Sequence, residues 1–238
     1  MSDLITTINE SFQKDKKVIL PEIESEYHMY LQQNNKDFLS KPKLRDIEHL
    51  FHLYDKKFFN NQLSNNLSIS LRTSNKLTRS AGMVNFSKRK QEARISLSLT
   101  LIFQSYLKQP EGYLVNGIFC KTPLTALMRV LEHEIVHLLE YILNGSSNCS
   151  NPQFLKMAYE LFGHTESKHM LGIELQNYVD LKTLKVGDMV SFPYHGKIHK
   201  GSIINIKKNV TIAVDGLYNS RKYYVPLDVI IKDESDEN

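Results

Sequence analysis

His133-Glu134-Ile135-Val136-His137 is a stretch whose residue types and spacing compose a chemical device. Residues four apart in an α-helix stand one turn above each other on the same face. Two imidazoles so placed can converge on one tetrahedral Zn2+, at about 2.0–2.1 Å per bond. Glu134 sits beside the first histidine but off the ligand line, where its carboxylate can reach a water on the metal. Zinc lowers the pKa of such a water to about 7, and a carboxylate can take its proton as it attacks a carbonyl. The pattern points to hydrolysis, with His133 and His137 as metal ligands, Glu134 as general base and Zn2+ as cofactor.

A catalytic zinc needs a third protein ligand and an open fourth position. Downstream candidates are Cys149, His164 and His169, with His195 and His199 further along. Cys149 precedes a helix predicted at about 152–162 and His164 follows it. The ends of such a helix lie roughly 15 Å apart, so the third ligand is His164 or Cys149 and not both. Each also has an ordinary reading, the cysteine as a small buried hydrophobe and the histidine as a helix-end donor. Glu132 and Glu140 are expected at the surface or supporting a ligand, and Glu140 can accept a hydrogen bond from a ligand histidine.

The helix that must carry the device is legible from its ends. Thr122 is a suitable N-cap, Pro123 suits the first helical position, and Asn144-Gly145 is a stop. Between them Leu124, Leu127, Leu131, Ile135, Leu138, Leu139 and Ile142 fill one wide arc, which must be buried. The other arc carries Arg129, His133, Glu134, His137 and Glu140.

Upstream, residues 44–59 show apolar positions at intervals of three and four, an amphipathic helix ended by Asn60-Asn61. Strands are predicted around Leu67–Leu71, Gly82–Phe86 and Arg94–Leu99, the last two joined through the basic segment SKRKQEAR. The strand at Ile95–Leu99 is expected to pair with an extended substrate by β-addition. A loop holding Pro110, Gly112 and Gly117 leads to the long helix. Residues 1–45 read as a polar N-terminal helical appendage, with helical spacing from Ile23 to Leu31 interrupted upstream by Pro21. From Gly187 the text changes to short strands punctuated by Gly and Pro, a small all-β barrel at 184–232, followed by an acidic tail at 233–238.

Together these segments resemble the SprT-like zinc metallopeptidases, which include the Spartan proteases. The resemblance covers about 46–170 and rests on Leu50 to Leu63, Thr78 to Gly82, Ile95 to Ser98, the EHEIVH of the long helix and Phe154 to Gly163. It implies an α+β zincin-like domain over 46–175, zinc held by His133 and His137, Glu134 as base, and cleavage of proteins crosslinked to DNA. This sequence departs from the family where the third ligand histidine usually stands, four residues before the aromatic of the next helix. That position is Ser150, with Cys149 beside it. The family's zinc-ribbon cysteines are also absent. Ser150 motivates the alternative, a nucleic-acid-binding or adaptor protein that keeps the fold without catalysis. The segment from Val186 to Gly216 is similar to SH3-like or KOW-type barrels.

Charge and composition bound the partners. Seven Lys/Arg face the single acid Glu92 between Arg72 and Arg94, and eight face three Asp between Leu184 and Lys232. Arg79, Lys88, Arg89 and Lys90 in the first patch, and Lys197, Lys200, Lys207 and Lys208 in the second, are candidates for nucleic-acid contact, possible DNA-binding beside a protein substrate. Tyr194, Tyr218, Tyr223 and Tyr224 could add base stacking, or fill a barrel core. Apolar residues at 41% and charged residues at 24% exclude wholesale disorder. No apolar run reaches the length of about 20 needed for a membrane span. The first residues lack a signal-peptide core, and two cysteines cannot form a disulfide framework, so a cytoplasmic location is expected.

Overall fold

The computed structural model describes residues 2–36, 39–74, 77, 80–167, 184–194, 197–207, 209–214, 221–226 and 230–232. Seven helices and ten strands form a mixed α+β chain among these residues. Two separate apolar clusters organise it, one drawn from residues 4–162 and one from 184–230.

The first cluster begins at the N-terminus. Helices α1 (Ser2–Ser11) and α2 (Lys16–Gln33) bury Leu4, Ile8, Ile23, Tyr27 and Leu31 in the same core as the HExxH helix. The appendage expected over 1–45 is thus part of the main body. Pro21 does not interrupt α2, which starts earlier, at an Asp15 N-cap that accepts from the Lys17 N–H at 2.9 Å. Burial of Ile23, Tyr27 and Leu31 within the following three turns outweighs the single backbone bond a proline forfeits.

Helix α3 (Leu44–Phe59) buries Ile47, Leu50, Phe51, Tyr54, Phe58 and Phe59, and stops where Asn60 takes a left-handed φ of 51°. A single turn, α4 (Gln62–Asn66), feeds strand β1 (Ser68–Thr73). Strands β2 (Gly82–Ser87) and β3 (Glu92–Leu97) follow as a hairpin whose turn is the basic segment. The sheet order is β1-β3-β2, with β1 parallel and β2 antiparallel to β3. The strand expected to receive substrate therefore lies in the middle of the sheet with both edges taken, and it ends at Leu97. Ser98 caps a helix not anticipated from sequence, α5 (Leu99–Lys108). The supposed loop holds a further hairpin, β4 (Tyr113–Val115) and β5 (Ile118–Cys120).

The long helix α6 (Pro123–Asn144) begins with the Thr122 hydroxyl accepting from the Thr125 N–H at 3.1 Å and ends at Gly145, φ 75°. After the loop at 146–151 comes α7 (Pro152–Phe162). None of the described helices is long and apolar enough to cross a membrane.

The second cluster belongs to strands β6 (Met189–Tyr194), β7 (Lys197–Ile206), β8 (Asn209–Val214), β9 (Arg221–Pro226) and β10 (Ile231–Lys232). They form an antiparallel sheet of order β10-β6-β7-β8-β9. In a flat sheet β6 and β9 would stand about 14 Å apart, three strand spacings. Instead the Phe192 and Tyr223 rings meet at 5.3 Å and Tyr194 and Tyr223 at 4.9 Å, so the sheet is strongly curled over its apolar face. His169, His195, Arg79, Lys208 and Tyr218, and the acidic tail at 233–238, lie outside the described residues.

Candidate metal centre

One turn of α6 sets His133 beneath His137, and their Nε2 atoms lie 3.1 Å apart. A shared zinc with tetrahedral bonds of about 2.0–2.1 Å calls for a separation of about 3.3 Å. The Cys149 thiol closes the group, since the donor atoms of His133, His137 and Cys149 all lie within 4.8 Å of one another. Two imidazoles and a thiol are a soft, tetrahedral donor set, and these residues fit zinc.

The ring orientations have visible causes. Phe154, at the start of α7, packs against both imidazoles, with centroids 4.8 Å from His133 and 4.5 Å from His137. His137 Nδ1 lies 2.6 Å from Ser147 Oγ, and Ser147 donates to Glu140 Oε2 at 2.6 Å. A hydroxyl has one proton, so Ser147 accepts from His137 Nδ1–H, which leaves the Nε2 lone pair aimed at the site. Burial lowers the His137 pKa, with Glu140 opposing in part, which favours this neutral form. Glu140 thus holds the candidate ligand His137 through Ser147, and it also accepts the Asn148 N–H at 2.9 Å, tethering the loop that presents Cys149. The next residue, Ser150, is exposed and donates its N–H to Asn148 instead of joining the cluster.

Glu134 is only 2% exposed, and burial pushes its carboxyl up to about 8. It packs on Gly82, where an added Cβ would sit 2.6 Å from the glutamate Cδ and Cγ. The dressed arc of α6 is therefore walled in by β2 and the 146–151 loop. Ser80, Gly82, Met83, Val84 and Tyr141 line a cleft with the two histidines, Glu134, Ser147 and Cys149. Tyr141 is braced by Phe86, rings 6.0 Å apart.

His164 is elsewhere. It is wholly buried, with Nε2 2.8 Å from Glu132 Oε2. Glu132 also takes both Arg129 contacts at 2.8 Å and the Tyr54 hydroxyl at 2.6 Å. Burial alone would raise the Glu132 carboxyl, but the Arg129 charge and the His164 and Tyr54 bonds hold it below its ordinary value. Expected at the surface or beside a ligand, Glu132 is instead the hub of a core network. Between His164 and Cys149, the structure brings Cys149 to the pair and commits His164 to that hub.

Of the basic candidates, Lys88, Arg89 and Lys90 are exposed on the β2–β3 turn, and Lys197, Lys200 and Lys207 are exposed on the curled sheet. Comparison with models of known families, with curated proteins and with solved structures finds no match to this chain. Sequence reasoning missed the roles of Ser147, Gly82 and Met83. A short loop after a glycine-stopped ligand helix was the available signal for Ser147. The small residue at position 82 signalled a close approach.

Proposed function

We propose that the chain is a zinc-dependent endopeptidase acting on proteins held on DNA. The observation that carries the hydrolytic reading is the convergence of His133, His137 and Cys149 beside a buried carboxylate in an open cleft. His133, His137 and Cys149 would hold the cation. When bound, zinc would polarise the scissile carbonyl and make a water acidic enough to ionise near neutral pH. Burial alone keeps the Glu134 carboxyl protonated near neutrality. The charge of a bound cation would favour its ionised form, and in that form Glu134 would accept the proton of the attacking water and pass it to the leaving amine. No described strand pairs with the outer edge of β2, so an extended substrate would add there, along Gly82–Ser87, with Met83 and Tyr141 flanking it. Main-chain pairing of that kind tolerates many side chains, as an enzyme acting on varied proteins requires.

The test is a pair of variants assayed on casein with and without single-stranded DNA. Glu134→Gln retains stoichiometric zinc and loses cleavage by at least about 100-fold, while His137→Ala loses the metal. Wild-type cleavage by Glu134→Gln removes the assigned base, and absence of zinc from the wild-type chain removes the whole reading.

A further inference from the structure

At one end of the curled sheet, the face that lower down forms the core becomes a mouth of aromatic rings and cations. Phe192 and His199 are register partners on β6 and β7, and their rings lie 5.8 Å apart. Tyr194 and Lys197 are the next partners on the same face. Across the curl Tyr223 meets Tyr194, Phe192 and His199 at 4.9, 5.3 and 5.5 Å. Arg221 stands two residues before Tyr223 on β9, opposite Val214, and so shares its face and lies at the same end. Phe192 is fully buried, but Tyr194 is 47% exposed. Strands β6, β7, β8 and β9 themselves carry no acidic residue.

We propose that this mouth binds single-stranded nucleic acid, with a base stacked on Tyr194 and the backbone phosphates on Lys197 and Arg221. The chemistry selects the ligand. An exposed tyrosine face offers stacking that any base can use, and adjacent cations attract phosphate. The same rings could cage a methylated ammonium, but Lys197 and Arg221 on that face repel a cationic guest. A bare acidic peptide would satisfy the cations and leave the rings idle. Lys200 lies on the other face of β7 and is excluded from this contact. This site deepens the substrate reading above by placing the nucleic acid on the curled sheet of β6 to β10, and it needs nothing from the metal centre.

Fluorescence anisotropy on the full chain tests it, with oligo(dT) and oligo(U) of about 16 nucleotides and a duplex of equal length as probes. Both single strands are expected to bind more tightly than the duplex, with affinity falling steeply from about 50 to about 200 mM salt. Tyr194→Ala should weaken single-strand binding at least about fivefold and leave the duplex nearly unchanged. Lys197→Glu, at an exposed position that does not threaten folding, should weaken binding and lower the salt slope by about 0.7 or more. Glu134→Gln should bind like wild type, so that failure of cleavage and failure of binding are read separately. The proposal is overturned if neither strand binds at about 50 mM salt, if both mouth variants bind as wild type, or if a poly-glutamate of similar length competes as well as oligo(dT).

Discussion

At the scale of single residues, the candidate third ligand is where side-chain chemistry and chain geometry part company. Cys149 and His164 flank α7, one at each end, so spacing alone leaves either within reach of α6. What separates them is a buried charge. Glu132 has lost its water and recruits Arg129, Tyr54 and His164, and the resulting network holds the histidine in the core. Cys149→Ala is therefore expected to weaken zinc binding by more than the roughly 10- to 100-fold typical of supporting groups, measured by competition with a chromophoric chelator. His164→Ala should leave zinc affinity intact and lower stability by about 1–3 kcal/mol, the cost of an unmet partner on a buried carboxylate. The reverse pattern would exchange the two roles. The HExxH pair and its glutamate were legible because all three sit on one periodic helix. Ser147 and Glu132 were not, since their partners come from other parts of the chain or from a face the wheel assigns to neither role.

Elements decide whether those residues are held in working order. β2 runs beside α6 and brings a residue without a side chain against Glu134. Gly82→Ala should displace the carboxylate, and misplacement of a catalytic group by about 1 Å costs about 100-fold in rate. The expected result is that kcat falls by about that factor while zinc content and far-UV circular dichroism stay as in wild type. Unaltered kcat would mean that Glu134 does not act from its observed position. Alternation announced β1 and β3, the latter two residues too far, and Gly82–Phe86 fell within β2. Nothing told which of them lies in the middle, because edge and centre strands share one pattern when the outer face is polar. Helix α5 escaped because its apolar run continues directly from β3, and only Ser98 marks the change. The β4–β5 hairpin is three residues a side, yet its Asn116-Gly117 turn has φ of 53° and 78°, the geometry that this dipeptide favours.

For the molecule as a whole, the notable joint is between the N-terminal helices and the rest. Asp46, in the first turn of α3, accepts the Lys43 N–H at 2.6 Å and the Tyr30 hydroxyl at 3.2 Å, and pairs with Lys36 beyond the end of α2. Burial would raise its carboxyl, but the Lys36 bond, the Lys43 N–H and the Lys36 charge outweigh it and hold the group below the ordinary value. The folded chain then binds fewer protons at this site than the unfolded chain does, so stability rises with pH through the window. That contribution is present above the usual aspartate value of about 3.9 and is lost as acid takes the pH through the lowered one. Asp46→Asn should cost about 1–3 kcal/mol near neutrality and flatten the acid limb of a stability–pH curve from urea titrations. An unchanged acid limb would show that the joint does not carry this linkage. The helical tendency of residues 16–33 was readable in part, but its place in the core was not, because a half-polar helix looks the same docked or dangling.

The path from the first imidazole to the thiol has a mechanical consequence. It runs up a rigid helix, reverses at Gly145 and returns along a loop fastened by Glu140 and Asn148. A cation arriving there would drop into a socket already cut, without having to organise the chain around itself. Small zinc modules behave in the opposite way, dissolving when their ion is stripped; here the fold and its cargo would be separable.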